Sequence, residues 1–330
     1  MKLNSKKLCS LLALLLIAAV SMFSLGGCAV QAQNNEAAED SIADTPKIPD
    51  HLDRNAEGIP ILKVYNTATD AIEEMDLETY IMGVVAGEMK NDWPMEALKA
   101  QAILARTFTM KFVESKKSSY EGADISTDIH EAQAYDASAI NDRIREAVNE
   151  TSGIVLTAGG EFPYAWFHAH AGGMTELPSR ALEYKDDPAY LTVVESIESN
   201  KAPDDVKQWT VTFSKDEILK ACADSGLKLD AVESFIIGEK SESGRSVNFL
   251  INGHKVSAPS FRLHIGSAKL KSTLIRDIRV NDNSVTFTGS GFGHGVGMSQ
   301  WGAYEMAEKN HTAEEIVHHY FSGTQLEKLW

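Results

Sequence analysis

Apolar side chains recur every three to four residues through the central part of the chain, over positions 95–115. This stretch contains no Gly or Pro and is rich in Ala, Leu, Lys and Met, so the pattern predicts one long helix. The apolar stripe that we expect to be buried consists of Leu98, Ala102, Ala105, Thr109 and Phe112. An adjacent stripe carries Lys99, Arg106 and Met110.

A shorter helix is predicted immediately before this one. Asp76 is a candidate N-cap, because a carboxylate at that position accepts hydrogen bonds from the free N–H groups of a first turn. Apolar residues at 81, 84 and 85 continue the helix to about Met89. The segment 91–94, Asn-Asp-Trp-Pro, then breaks it, and Pro94 suits the first position of the long helix.

Strands are predicted where β-branched and aromatic residues cluster between turn residues, at 60–65, 154–157, 164–167, 210–213, 246–251 and 278–287. Further helices are predicted at 141–150, 215–225, 299–309 and 313–320. This mixture, without an internal repeat, predicts one α+β domain over 58–330 whose long helix carries part of the functional site. The stretch 201–255 is a candidate insertion that packs by itself.

The first 27 residues are expected to be an export signal rather than part of the fold. Three lysines among the first seven residues precede an apolar run over 8–23, which ends in Leu25-Gly26-Gly27-Cys28. This ending resembles a bacterial lipoprotein signal, which implies a lipid on Cys28 and anchoring to the outer face of the cytoplasmic membrane. A plain secretory signal and an uncleaved anchor remain alternatives. Residues 28–57 are polar and are expected to form a flexible tether.

The composition narrows the class of protein. Hydrophobic residues make up 43% of the 330 residues, and the net charge is −16, so the exported part is an ordinary soluble domain with an acidic surface that repels nucleic acid. We therefore expect contact with the membrane only through the N-terminal lipid. Three cysteines cannot form a disulfide framework, and Cys222, within a helical pattern, is expected to be a buried thiol rather than a nucleophile.

Glu88 is the first candidate for chemistry. It ends the predicted helix in apolar company, Val84-Val85-Ala86-Gly87-Glu88-Met89. Burial makes the charged form of a carboxyl costly and raises its pKa, which is what a general acid needs near neutral pH. The alternative interpretation is a surface glutamate at a helix end.

A glycine-rich segment is the second candidate. Five glycines alternate from 289 to 297, a density that permits close approach of the backbone to a ligand. The segment also carries His294, Ser299, Gln300 and Trp301, and an amide beside an aromatic face suits carbohydrate. It lacks the Gly-Lys-Ser/Thr ending of a phosphate-binding loop. The alternative is a tight structural turn with a core tryptophan.

The third candidate is the segment 167–176, which contains a His-x-His pair. On a strand, His168 and His170 would share one face and could ligate zinc, with His130 as the only third ligand that we identify. Histidines in the wall of a site are the alternative interpretation.

Together these segments resemble the SpoIID/LytB family, which groups stage II sporulation protein D with the amidase enhancers. The matching N-terminal stretches are Leu77-Glu78-Thr79-Tyr80, Val84-Val85-Ala86-Gly87-Glu88-Met89, Trp93-Pro94-Met95-Glu96-Ala97-Leu98-Lys99-Ala100-Gln101-Ala102 and Ala105-Arg106-Thr107. Further matches lie at 167–176, 188–191, 261–273, 294–302 and 319–320, so the resemblance spans about 59–325.

The resemblance implies a peptidoglycan lytic transglycosylase that prefers glycan strands without stem peptides, with Glu88 as its single catalytic acid. Such an enzyme needs only one carboxyl group, because the C6 hydroxyl of the substrate's own N-acetylmuramic acid replaces water as the nucleophile. We expect Arg106, Lys99 and Gln101 near this acid, and His294, Ser299, Gln300 and Trp301 along the glycan groove. Tyr164 and His168 are expected to form the opposite wall.

The chain departs from the family in two respects. Some members bind zinc through cysteines near the counterparts of 130–134 and 168–173, where this chain has none, so we expect no structural zinc and no cofactor; His130, His168 and His170 remain alternative metal ligands. Stage II sporulation protein D usually has an N-terminal membrane helix, so both sporulation and vegetative wall remodelling stay open. Partners consistent with the family are an N-acetylmuramoyl-L-alanine amidase and a membrane complex. A noncatalytic amidase enhancer and a glycan-binding lipoprotein are the competing functions.

Overall fold

Nine α-helices and thirteen strands lie within residues 45–330, the part of the chain that the computed structural model describes. The helices are α1 (Leu77–Glu88), α2 (Met95–Ser115), α3 (Asp142–Glu150), α4 (Pro178–Ala181), α5 (Asp204–Lys207), α6 (Lys215–Asp224), α7 (Ala258–Gly266), α8 (Gln300–Glu308) and α9 (Ala313–Tyr320). None of the helices in this described part is long and apolar enough to cross a bilayer. The predicted signal over 1–27, lipidation of Cys28 and the start of the tether lie outside the described residues.

The strands form five small sheets. They are β1 (Ile61–Asn66), β2 (Ala71–Asp76), β3 (Ile125–Ser126), β4 (Ile154–Thr157), β5 (Phe167–His168), β6 (Trp209–Ser214), β7 (Phe235–Ile237), β8 (Asn248–Ile251), β9 (His254–Ser257), β10 (Ile275–Val280), β11 (Ser284–Gly289), β12 (Met298–Ser299) and β13 (Gln325–Lys328). The orders are β2-β1-β3, β10-β11-β6, β12-β5, β13-β4 and β7-β8-β9. The pairs β1/β3 and β12/β5 are parallel, and the other pairs are antiparallel. This mixture of helices and small sheets confirms the predicted α+β fold.

The two N-terminal helices form where the sequence predicts them. Asp76 caps α1 by accepting a hydrogen bond from the Thr79 N–H at 2.9 Å, and α2 spans the predicted 95–115. Pro94 is the N-cap of α2 rather than its first helical residue. The whole predicted apolar stripe of α2 is buried, because this helix packs against α1, α3, α8 and α9.

Two hydrophobic cores hold the described chain together. The first surrounds α1 and α2 and extends to Phe321. Its N-terminal members Ile48 and Leu52 are 5% and 6% exposed, so these two residues from the end of the predicted tether pack against the core. The second core lies between Trp209 and Phe287 and is centred on a cluster of phenyl rings. The candidate insertion 201–255 contributes to this core, and its separate packing stays a prediction.

Some strand predictions differ from the structure. The apolar run 164–167 pairs only from Phe167 onward, because the Tyr164 N–H donates to the Tyr190 hydroxyl at 3.0 Å instead of to a neighbouring strand. The run 278–287 is two strands, β10 and β11, which pair antiparallel. The acidic strand β2 was not predicted, since none of its side chains is fully buried and they show no apolar alternation.

Candidate active site

Glu88 is the last residue of α1 and is only partly buried. Its Oε1 accepts a hydrogen bond from the Ala134 N–H at 2.7 Å. Its Oε2 lies 3.4 Å from Nε2 of Gln300, at the start of α8. Three segments distant in sequence therefore meet at one carboxyl group: the end of α1, the loop before α3 and the glycine-rich segment.

Two glycines on α1 let the loop cross close to Glu88. A Cβ added at Gly83 would lie 2.1 Å from the Tyr135 ring. A Cβ at Gly87 would lie 2.7 Å from Tyr135 N and 2.8 Å from Ala134 C. Close packing therefore requires glycine at position 87, because only a residue without a side chain there lets the Ala134 N–H reach the carboxylate of the next residue, Glu88.

We expect Gly87→Ala to be destabilising, although alanine normally favours a helix over glycine. The added methyl group forces the 134–135 backbone away, at a cost of about 1–3 kcal/mol for overpacking, and removes the backbone N–H from Glu88. Thermal unfolding and glycan cleavage by the variant check this. An unchanged midpoint temperature together with full cleavage would show that the loop does not depend on this close contact.

Burial is the main cause of the raised pKa of Glu88. The hydrogen bonds from Ala134 and Gln300 oppose it, since both stabilise the carboxylate. Burial makes this carboxyl group costly to ionise, while two hydrogen-bond donors stabilise the carboxylate once it forms. Such a group is suited to release a proton and to take one back.

Gln300 links Glu88 to the long helix. Its Nε2 lies 3.4 Å from Oε1 of Gln101 on α2, so Gln101 orients the amide that faces the acid. The Nε2 of Gln101 is buried and has no hydrogen-bond partner within the described residues. The structure thus brings Glu88, Gln101 and Gln300 together, as the sequence predicts, and leaves one amide donor beside them free.

Trp301 follows Gln300 but is largely a core residue. It is 7% exposed, and its ring centroid lies 4.4 Å from that of Trp93 and 5.3 Å from that of Tyr304. Its position, wedged between α8 and the break before α2, fixes the start of α8 next to Glu88. Its aromatic face offers a sugar little area in this conformation.

The structure assigns Arg106 a different place from the one expected. Its guanidinium is fully buried, and its Nη2 lies 2.6 Å from Oε2 of Glu78. Its Nη1 donates to the Ile154 carbonyl at 2.8 Å, while Glu78 also accepts hydrogen bonds from Ser152, Gly153 and Trp330. A cation enclosed in this way ties α1, α2 and β4 together and does not contact a sugar from this position.

Lys99 also lies in an ion-pair network rather than beside Glu88. Its Nζ lies 2.8 Å from a carboxylate oxygen of Glu96 and 2.6 Å from one of Glu150. It therefore joins α2 to α3 at the surface.

The glycine-rich segment covers a second polar cluster. A Cβ at Gly295 would lie 2.4 Å from Nε of Arg245, and one at Gly297 would lie 2.0 Å from the Trp166 carbonyl oxygen. Both glycines have positive φ angles, +91° and +70°. The high density of glycines in this segment therefore follows from close packing of its backbone over buried groups. The sequence alone could not distinguish this packing from close approach of the backbone to a ligand.

Three of the predicted groove residues belong to this second cluster. The His168 Nδ1 lies 3.1 Å from the Val296 carbonyl, and its ring lies 5.6 Å from that of His294. Burial lowers the pKa of His168 well below its usual range and that of His294 to about 3, so both rings are neutral. Ser299 is fully buried as the N-cap of α8. None of the three has a hydrogen bond to Glu88.

Glu198 is the residue of this cluster that sequence reasoning missed. It accepts hydrogen bonds from the Ala171 N–H at 2.9 Å and from the Ser299 hydroxyl at 2.9 and 3.0 Å. Burial raises its pKa to about 7. No motif surrounds it, so only the fold reveals it.

The predicted metal alternatives are not assembled into one group. His130 is exposed on the loop before α3, whereas His168 and His170 are buried under the glycine-rich segment. Within residues 45–330, no three His, Cys, Asp or Glu side chains are placed to hold a metal ion. Cys222 is buried, as predicted, and has no disulfide partner within residues 45–330; burial raises its pKa to about 11.

Tyr164 is part of an aromatic cluster. Its ring stacks on Trp166 with centroids 4.9 Å apart and an angle of 9° between the planes, and Tyr184 meets both edge-on. Lys111, from α2, lies 5.6 Å from the Tyr164 ring centroid. Both stacked rings are partly exposed, so this cluster keeps the apolar faces that stacking on a sugar requires.

Fold and site together define a class of protein. It is an α+β domain in which a helix end, a crossing loop and a glycine-rich segment enclose one partly buried carboxyl group. A family model described as stage II sporulation protein matches residues 65–157, which include Glu88. A second model, a domain of unknown function (DUF8618), matches residues 165–297.

Two relatives named stage II sporulation protein D agree with the match to the family model. The stage II sporulation protein D of Bacillus subtilis is 33% identical over 287 residues, 80% of this chain and 78% of that protein. That of Bacillus amyloliquefaciens is 30% identical over 313 residues, 91% of this chain and 87% of that protein. The chain belongs to the stage II sporulation protein D family, which confirms the resemblance found in the sequence.

A further relative is the amidase enhancer of Bacillus subtilis. It is 26% identical over 298 residues, which are 74% of this chain but 40% of that protein. The shared part thus corresponds to most of this chain and to a minority of the longer relative.

Proposed function

We propose that the protein is a lytic transglycosylase that cleaves the bond between N-acetylmuramic acid and N-acetylglucosamine in peptidoglycan glycan strands. The observation that carries the proposal is the environment of Glu88. It is a single carboxyl group, partly exposed, with a pKa raised by burial and with donors on both oxygens. Membership of the stage II sporulation protein D family supports a role in the cell wall.

The proposed reaction uses one carboxyl group twice. Glu88 first gives its proton to the glycosidic oxygen while the bond from that oxygen to C1 of the muramic acid breaks. The carboxylate, held by Ala134 and Gln300, then takes the proton of the C6 hydroxyl while O6 bonds to C1. The product is a 1,6-anhydro ring, no water is consumed, and Glu88 ends protonated as it began.

Export and lipid anchoring are part of the proposal. The pattern Leu25-Gly26-Gly27-Cys28 after an apolar run supports a lipid on Cys28, which would hold the enzyme at the outer face of the cytoplasmic membrane. There it would act on peptide-stripped strands during sporulation or vegetative wall remodelling, together with an amidase and a membrane complex as partners.

Product chemistry tests the reaction class directly. The purified chain is incubated with peptide-free glycan strands, and the new ends are identified by mass spectrometry. Anhydro-muramic ends are the expected result. New reducing ends would contradict the proposal, because they require water as the nucleophile.

A second candidate function is a noncatalytic amidase enhancer, which the similarity to the Bacillus subtilis protein of that name favours. In that case, the chain binds glycan and stimulates a partner hydrolase but forms no new ends by itself. The same incubation, repeated with and without an N-acetylmuramoyl-L-alanine amidase, separates the two functions.

The pH dependence of cleavage gives a further test. Glu88 must be protonated to act, so kcat/KM is expected to fall as the pH rises through its raised pKa. Gln300→Leu removes a donor that stabilises the carboxylate, so the pKa of Glu88 rises and the alkaline limb moves to higher pH while the maximal rate falls. A rate profile of the variant checks this. A lower rate with an unchanged alkaline limb of the pH profile would mean that Gln300 supports the structure of the site but does not affect the pKa of Glu88.

A further inference from the structure

A second pocket, distinct from the contacts of Glu88, opens beside the glycine-rich segment. It has a volume of about 250 Å³. We name it the Glu198 pocket, and its lining includes His170, Gly173, Glu198, Lys207, Arg276 and Ser290. The proposed proton transfers use none of these side chains.

Two polar atoms in its wall are buried without a partner. His170 is 4% exposed and Ser290 is 3% exposed, and neither His170 Nε2 nor Ser290 Oγ has a hydrogen-bond partner within the described residues. A buried polar group without a hydrogen-bond partner destabilises the folded state, because it has lost its contacts with water. Two such groups around one opening indicate a site that a ligand or water completes.

The chemical state of His170 follows from its other nitrogen. Nδ1 accepts a hydrogen bond from the Gly172 N–H at 3.0 Å. Burial, then the charges of Arg245 and Lys207, lower the pKa of the ring to about 4. In this neutral ring, Nε2 carries the hydrogen and is a donor.

The gap between His170 and Glu198 fits one bridging atom. His170 Nε2 lies 3.9 Å from Oε2 of Glu198, which is too far for a direct hydrogen bond. A hydroxyl group between them accepts from the imidazole N–H and donates to the carboxylate. The Ala171 N–H and the Ser299 hydroxyl hold Glu198 in position for this contact.

Two cations add a preference for negative charge. Lys207 and exposed Arg276 both line the pocket. Lys207 is paired with Asp204 at 2.9 Å, but the Asp204 side chain is 99% exposed, so that pair is weak. Because the Glu198 pKa is raised to about 7, its own charge opposes an anion only in part near neutral pH.

We propose that the Glu198 pocket binds one muramic acid unit of the glycan through its free lactyl carboxylate and a hydroxyl group. Lys207 and Arg276 hold the carboxylate, and His170 and Glu198 hold the hydroxyl. The inference rests on the proposed function, and it gives peptide removal a physical meaning: a stem peptide converts the carboxylate to a neutral amide and adds bulk at the cations.

Calorimetric binding tests this assignment separately from cleavage. The Glu88→Gln protein, which preserves the sugar, is titrated with a peptide-free tetrasaccharide of alternating N-acetylglucosamine and N-acetylmuramic acid, and with chitotetraose, which has no lactyl group. The muramic tetrasaccharide is expected to bind at least about tenfold more tightly, as one charge-assisted contact provides. Arg276→Glu should abolish this preference.

Arg279→Glu is the matched control, because it makes the same charge change at an exposed position of β10 outside the pocket. It should keep the preference, whereas Lys207→Glu, at the second cation of the pocket, should weaken it. Equal affinity for both sugars, or a preference that survives both pocket variants, overturns the inference. So does equally tight binding of D-lactate alone, which would make the pocket a site for small hydroxy acids.

The two proposals fail in different ways. If the chain forms anhydro products but its preference for the muramic sugar does not depend on Arg276, the proposed enzymatic function stands and the assignment of the pocket is wrong. If the preference depends on Arg276 but the chain forms no new glycan ends, the assignment of the pocket stands and the proposed enzymatic function is wrong.

Discussion

Glu88→Gln is expected to lower the formation of anhydro-muramic ends by about 10³-fold or more, since one group serves as both acid and base. The substitution preserves shape, and the glutamine Oε1 can still accept the hydrogen bond that the Ala134 N–H donates at 2.7 Å to Glu88. An amide, however, has no proton to give to the glycosidic oxygen and no basic site for the C6 hydroxyl. Cleavage of peptide-free strands, measured over time, gives the rate.

Glu314→Gln is the matched control for this variant. Glu314 is an exposed glutamate on α9, so the same loss of one carboxylate should leave both cleavage and the midpoint of thermal unfolding unchanged. Glu88→Gln should likewise unfold at the wild-type temperature or above it, because it removes a carboxyl group that is costly to ionise when buried. Wild-type cleavage by Glu88→Gln would remove Glu88 from the chemistry.

Arg106→Leu should cost about 3–5 kcal/mol of stability, because it leaves the carboxylate of Glu78 buried without its cation. For a domain of this size, the midpoint temperature then falls by roughly 10 °C. Glu78 is 5% exposed and Arg106 is 0% exposed, so solvent cannot replace the lost ion pair. Thermal unfolding measured by circular dichroism gives the shift.

The double variant Arg106→Leu/Glu78→Leu sharpens this test. It leaves no unpaired buried charge, so part of the lost stability should return. Lys99→Met, on the same helix but in a more exposed ion-pair network, should cost less than about 1 kcal/mol. If Arg106→Leu kept the wild-type midpoint but lost glycan binding, the sugar-binding role expected from the sequence would be correct.

Local signals in the sequence predicted the helices that build the site. The capping carboxylate of Asp76 and the uninterrupted apolar stripe of α2 depend on neighbours within one or two turns, so α1 and α2 form where those neighbours are. Gln101 and Gln300 lie in segments that the family resemblance selected, and both reach the Glu88 site.

The long-range partners could not be predicted in this way. Arg106 lies near Glu88 in sequence, but its side chain turns to Glu78, whose other partners come from as far away as Trp330. Glu198 owes its raised pKa to burial under a segment a hundred residues further along. Neither property follows from spacing, because each depends on which surfaces the finished fold brings together.

The first turn of α8 carries a mechanical consequence. Ser299 holds Glu198, and its neighbour Gln300 faces Glu88, so two acids share one rigid support. A displacement of this turn therefore changes the contacts of both carboxyl groups at once, so a sugar that shifts Gln300 when it binds at Glu88 also shifts the hydroxyl that holds Glu198.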